Sequence, residues 1–210
     1  MRQITKIKEP NSLAKHRQQE HADYDNYEEK DDVRNTTCAE QRGICCYCMG
    51  SISPDLKYMK IEHFKCQESF PEEQLKYYNL LGACKGNEGR PVKEQHCDTF
   101  KGKKILTFHP CDTQRNVGAM LEYNNDGSIN SKNGLLNSEL ENVLNLNVSK
   151  LKAARKGVLD GFKETLRKYN GKPPANSLIK WLNEWEGTSN QNNLRPYCMV
   201  VAYWIRKKLN

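Results

Sequence analysis

The chain has 210 residues, 37% hydrophobic and 28% charged, with 33 Lys and Arg against 26 Asp and Glu for a formal net charge of +7. This is enough apolar material for a buried core and excludes an intrinsically disordered chain. The positive balance favours acidic partners, nucleic acid first among them, although surplus lysine also serves solubility.

Residues 1–37 are polar, charged and poor in large aliphatic side chains, so they read as an arm or peripheral helix with little core of its own. They lack the apolar stretch of a signal peptide, and no run in the chain reaches the ~20 apolar residues of a membrane span. The expected compartment is therefore the cytoplasm. There, nine cysteines, an odd and clustered set, point to metal ligands or buried thiols rather than disulfides.

Between residues 38 and 105 lie Cys38, Cys45, Cys46, Cys48, Cys66, Cys84 and Cys97. In "GICCYCMG", Cys45 and Cys48 have the two-residue spacing that lets both thiolates reach one tetrahedral ion, with Gly50 suited to the turn and Cys46 directed away. A second pair is required. Cys84 and Cys97 supply it if "KGNEGRPVKEQH" is looped out, with Cys66, Cys111 and His96 as rival fourth ligands. Between the pairs stands "IEHF", which sets Glu62 beside His63. Alternation sends such neighbours to opposite faces of a strand. In isolation the pair reads as a half-buried strand end with a satisfied histidine.

"EYNNDGSINSKNG", residues 122–134, reads as a turn or hairpin tip and a domain boundary. Ser138 followed by Glu141 is a capping-box signature, predicting a helix from there. Leu151, Ala154, Val158, Leu159, Phe162 and Leu166 form one apolar stripe that Gly171, Pro173 and Pro174 end. Opposite it run Lys150, Lys152, Arg155, Lys156, Lys163, Arg167 and Lys168, either a phosphate-contacting face or, the preferred reading, a solvated one. Two more helices are expected in "NSLIKWLNEWEG" and "RPYCMVVAYWIRKKL". No GxxxxGK[ST] loop is present, so nothing here binds nucleotide in the P-loop manner.

The order of cysteine knuckle, "IEHF", "YYNLLGAC" and "HCDTFKG" over residues 38–104 resembles the HNH endonuclease motif. The resemblance implies an α+β fold, with a small zinc-stapled ββα-metal core over 38–105 after the 1–37 arm. A connecting loop or hairpin over 106–135 and a mainly helical region over 136–210 complete it. It further implies structural zinc on Cys45, Cys48, Cys84 and Cys97, and a catalytic divalent ion, Mg²⁺ or another, on Glu62 and Asp98. His63 would activate water and Asn79 would orient its ring. These residue types suit the chemistry. A neutral imidazole accepts a proton near pH 7, an uncharged amide can fix its other nitrogen, and hard carboxylates hold the cation that phosphodiester cleavage needs. Asp98 stands where the family more often has His or Asn, an oxygen ligand still suited to Mg²⁺. If the insert displaces Cys97, His96 takes a ligand role instead.

A narrower resemblance is to the HNH nuclease subunit of the Septu anti-phage defence system, including its retron-associated forms. It is carried by "MRQITKIKEP", "IEHF", the "NLLGAC-GN-G" insert, "HCDT-KG", and "LNLN" at 144–147 before a long basic helix. It implies an ABC or SMC-like ATPase partner contacted by residues 1–37 and the C-terminal helices. For retron forms it also implies a reverse transcriptase with its noncoding RNA, and a nucleic-acid substrate, DNA or transfer RNA. Two function classes follow: a metal-dependent nuclease of a defence complex, and a non-catalytic zinc-stapled module that binds nucleic acid or a partner. Glu62, His63, Asn79 and Asp98 discriminate, because a binding module has no use for a general base beside hard ligands.

Overall fold

The architecture, taken from a computed structural model that describes residues 1–169, 172–188 and 193–209, mixes helices with two small antiparallel hairpins. The Gly171 helix stop expected from the sequence lies outside the described residues.

The first ten residues run across the molecule instead of leaving it. The amide of Ile4 donates to Pro110 O at 2.9 Å, and Lys6 Nζ donates to Leu80 O at 2.6 Å. Helices α1 (Asn11–His16) and α2 (Lys30–Glu40) follow. Leu13, Tyr24, Tyr27 and Val33 bury against Leu75, Tyr77 and Leu80 as one apolar cluster. The expected arm with little core of its own thus gives way to a segment that builds core, chiefly with the rings of two tyrosines among polar neighbours.

Strands β1 (Met59–His63) and β2 (Leu80–Cys84) pair in the register Met59↔Cys84, Ile61↔Gly82 and His63↔Leu80. Gly82 is required by close approach, since a Cβ there would stand 3.0 Å from Met59 Cε and 3.1 Å from Ile52 Cδ1. The bare backbone admits Gln41, whose Oε1 accepts from Gly82 N and whose Nε2 donates to Gly82 O, both at 2.7 Å. Helix α3 (Cys97–Lys101) follows and packs on β2.

The Asn-Asp-Gly turn joins β3 (Leu121–Tyr123) to β4 (Ile129–Ser131), as the sequence suggests. Gly127 has φ +82° and presses so close to Lys152 O that no side chain fits. The next helix, α4 (Gly134–Ser138), starts earlier than the capping box at Ser138 predicts. Its cap is Asn133, which accepts from Leu136 N at 2.9 Å. Leu136 and Leu140, one turn apart and both fully buried, make the chain helical before Ser138 is reached, and a π-helical turn, Glu139–Val143, continues it.

Helix α5 (Ser149–Arg167) buries Leu151, Leu159 and Phe162 from the expected stripe, and also Arg155 from the basic face. Arg155 is 1% exposed and braces the fold, with Nε on Gly127 O at 2.6 Å and Nη2 on Leu146 O at 2.5 Å. Among the rest of that face, Lys152 pairs with Asp126 at 2.6 Å, Lys156 with Asp160, and Arg167 with Glu164, which accords with a solvated surface. Helices α6 (Ala175–Glu186) and α7 (Cys198–Leu209) pack together and close the core through Leu178, Val201 and Ile205. Among the described residues no helix is long and apolar enough to cross a membrane.

Candidate metal centre and acid–histidine site

The two ends of the β1–β2 hairpin carry different chemistry. At the Cys84 end, four sulfurs converge. The knuckle is folded by Cys45 N on Gly50 O at 2.8 Å and Met49 N on Cys45 O at 3.1 Å. Its left-handed residue is Met49, φ 64°, and not the Gly50 expected from the sequence. Gly50 serves otherwise: its amide donates to Cys48 Sγ at 3.3 Å, and a Cβ would meet Tyr197 Oη at 3.2 Å.

The insert between Cys84 and Cys97 closes on itself through His96 N on Gly86 O at 3.0 Å and Asn87 Nδ2 on Glu94 O at 2.8 Å. Its two ends therefore meet, and Cys97 returns to Cys84 across the looped-out residues. Cys97 takes φ 57°, and its amide is held by Leu144 O at 2.8 Å. The segment "LNLN", without a role derivable from sequence, thus fastens this ligand. Asn145 Nδ2 donates to Gln95 O, and Asn147 bonds both backbone groups of Ile129.

Cys45, Cys48, Cys84 and Cys97 place their sulfurs within 4.8 Å of one another, with Cys45–Cys97 at 3.9 Å and Cys48–Cys84 at 3.7 Å. A tetrahedral ion with sulfur at ~2.3 Å has sulfur–sulfur edges of about 3.8 Å. The donor set fits zinc in type, number and spacing. Burial pushes the Cys45 thiol up, but hydrogen bonds with Cys46, Cys48, Cys84 and Cys97 outweigh it and carry it well below its ordinary value. His96 stands beside the set, its Nδ1 3.2 Å from Cys97 Sγ. Cys46, Cys66 and Cys111 lie outside it.

At the His63 end, alternation sends Glu62 and His63 to different surroundings. Glu62 is 1% exposed, and its Oε1 accepts from Tyr47 Oη at 2.7 Å and from Lys101 Nζ at 2.8 Å. Asp98 is hydrogen-bonded to Glu62, and its Oδ2 pairs with Lys60 Nζ at 2.9 Å. Burial, then contact with Asp98, raises Glu62 well above the carboxylate range against the pull of Lys101. Burial acts on Asp98 in the same sense, but its hydrogen bond with Glu62 and the Lys60 ammonium hold it low. Two carboxylates in contact suit a hard divalent ion by donor type, and lysine ammonium groups are their present counter-charges.

His63 is 7% exposed. Its Nε2 lies 3.1 Å from Gln74 O, which fixes the proton there, and Gln67 Nε2 donates to Nδ1 at 3.3 Å. The ring meets the Tyr24 ring edge-on at 4.4 Å. Burial lowers its pKa to about 4, so the imidazole is neutral at pH 7. Asn79, expected to orient this ring, instead closes the loop beside it. Its Nδ2 donates to Lys65 O at 3.0 Å and Glu73 O at 3.1 Å, and its Oδ1 accepts from Lys65 N at 2.8 Å. The ring's partner on that side is Gln74 O.

Sequence reasoning assigned no role to Lys101, Tyr47, Gln74 or Gln67. The signals for the first two were present, Lys101 in "HCDTFKG" and Tyr47 inside the knuckle.

No family model matches the chain. Over 80 residues it is 31% identical to the Septu protein PtuB of Bacillus thuringiensis, a segment covering 38% of this chain and 29% of that protein. The chain thus matches less than a third of its relative's length, and the likeness supports a Septu-related relationship.

Proposed function

We propose that the chain is an HNH-type endonuclease that hydrolyses phosphodiester bonds of DNA or transfer RNA, as the effector subunit of a Septu-type defence complex. The observation that carries this reading is the arrangement on one hairpin: a neutral, tautomer-fixed imidazole at the end where two carboxylates meet, and four clustered thiols at the other. The strand–strand–helix order of β1, β2 and α3, with α3 bearing both Cys97 and Asp98, supports the ββα-metal reading.

His63 Nδ1 is the atom that accepts the proton of the attacking water, because Nε2 already donates to Gln74 O. That water enters by displacing the Gln67 amide. Glu62 and Asp98 would hold the divalent ion, Mg²⁺ in the simplest case. The ion supplies charge neutralisation for the phosphodiester and its leaving oxygen. Lys101 and Lys60 keep the two carboxylates in place meanwhile, and a phosphate beside His63 raises its affinity for the proton. An ABC or SMC-like ATPase is the partner that fits a chain with no nucleotide loop of the P-loop kind. A reverse transcriptase with its noncoding RNA joins it if the system is of the retron type.

The non-catalytic module draws on one observation: Glu62 and His63 are both buried and held by protein partners. Labelled DNA and RNA, incubated with Mg²⁺ and the chain with its ATPase, decide between the two. Cleavage that EDTA abolishes supports the nuclease, and binding of both nucleic acids without cleavage supports the module.

A further inference from the structure

The loop between β1 and β2 holds three consecutive residues whose carbonyls are each taken by a different side chain. Glu73 O accepts from Asn79 Nδ2 at 3.1 Å, Gln74 O accepts from His63 Nε2 at 3.1 Å, and Leu75 O accepts from Arg17 Nη1 at 2.9 Å. A carbonyl points where its planar peptide unit points, and that unit turns only about the dihedrals on either side of it. Clamping the peptide units before and after it therefore sets the aim of Gln74 O.

One clamp comes from the loop itself and the other from the N-terminal segment. Arg17 directly follows α1, and its guanidinium is set by Glu9: Nη1 donates to Glu9 Oε1 at 2.6 Å and Nη2 to Glu9 Oε2 at 2.9 Å. A planar fork already held by a carboxylate loses little further freedom in its third bond, the one to Leu75 O. Arg17 is exposed, so core packing does not account for this reach into a loop 58 residues away in sequence. The same segment also touches Gln74, since the Tyr24 amide donates to Gln74 Oε1 at 3.1 Å, while the Tyr24 ring edge closes on the imidazole.

We propose that Arg17 is a positioning residue for His63. By clamping Leu75 O it aims the Gln74 carbonyl at Nε2, which keeps the imidazole proton there and leaves Nδ1 as the acceptor. The Gln74 side chain, tied to the Tyr24 amide, steadies the same carbonyl. The catalytic half of this statement rests on the nuclease reading, whereas the geometric half, Arg17 acting on the imidazole N–H, stands without it.

Solvent exchange of the His63 Nε2–H, followed by NMR on the full chain labelled with ¹⁵N-histidine, tests the geometric half, and steady-state cleavage of labelled DNA and RNA tests the other. Arg17→Ala and Gln74→Ala should each speed the exchange about 5-fold or more, the scale of one lost hydrogen bond. In cleavage, kcat should fall by a similar factor with KM nearly unchanged, because the base is misaimed and substrate contacts are kept. Asn133→Ala, a substitution of comparable cost at the distant cap of α4, should leave the exchange as in the parent. Exchange unchanged in Arg17→Ala overturns the proposal, as does a parent Nε2–H that exchanges too fast to be seen. Exchange accelerated equally by Asn133→Ala also overturns it, since that marks general loosening. Accelerated exchange with kcat unchanged overturns the catalytic half. A parent that cleaves nothing, with exchange accelerated in Arg17→Ala, supports the clamp and contradicts the nuclease reading alone.

Discussion

The Cys84 end and the His63 end of the same hairpin solve opposite electrostatic problems. The thiol end gathers four ligand atoms of one kind around one point, where burial disfavours every additional negative charge and hydrogen bonds sharing one thiolate are the local compensation. The acid end instead gives each charge an opposite neighbour, Glu62 with Lys101 and Asp98 with Lys60, and gives the imidazole a carbonyl and an amide. The first arrangement is suited to a shared cation. The second is already balanced by protein groups, so its residues can be exchanged one at a time with graded effects.

The sharpest way to break this comparison is to remove one thiol. Cys48→Ser should lose about one equivalent of zinc and the cooperative unfolding of the region with it, since a structural site contributes ~10–16 kcal/mol against a total stability of ~5–15 kcal/mol. Elemental analysis with calorimetry checks this, and freshly purified parent protein without zinc would contradict it.

Next in size is Lys101→Met, which leaves Glu62 buried without its ammonium and should cost about 3–5 kcal/mol in denaturant unfolding while zinc content is kept. An unchanged midpoint would mean that Glu62 is protonated and indifferent to Lys101.

A pH series gives a smaller effect, at a third histidine outside both ends. Burial pushes His109, stacked on Tyr78 and tilted against Phe64, from 6.5 down to about 4. Below pH 6.5 the unfolded chain takes up a proton that the folded ring refuses. Stability should therefore fall as pH drops from about 6.5 to about 4 and level off beneath, by at most ~3 kcal/mol. His63, lowered by burial to the same value, adds a like contribution, so His109→Phe should remove about half of the histidine-dependent slope in that window.

The smallest effect concerns the start of α4. Asn133→Ala should cost ~1 kcal/mol, and Ser138→Ala clearly less, by thermal unfolding.

These predictions also separate what the chain discloses in one dimension from what it withholds. Cysteine spacing was legible because two thiols at knuckle distance have a narrow chemistry, and the long insert did not hide Cys97 because Gly86 and His96 close it locally. The hairpin turn was legible because Asn-Asp-Gly admits few conformations. The groups that balance the acid end were not, since Lys101 and Tyr47 reach the same Glu62 oxygen only after folding. Arg155 reads as a solvated lysine-like position until the hairpin tip brings the Gly127 carbonyl to it. Ser138 carries a cap signature that lost to Asn133 because burial of Leu136 and Leu140 decided where the helix begins. In each case a local preference competed with a contact between segments, and the contact won.

The most direct test of the nuclease reading compares the parent chain with His63→Ala, each with the proposed ATPase partner and Mg²⁺, on labelled DNA and RNA, with zinc content and melting temperature measured on the same preparations. The account predicts a loss of cleavage of at least ~10²-fold with zinc unchanged and the variant still cooperatively folded, at a melting temperature lowered by the lost ring contacts. A variant that is destabilised yet fully active would contradict it, and would return His63 to the role of a buried strand-end residue.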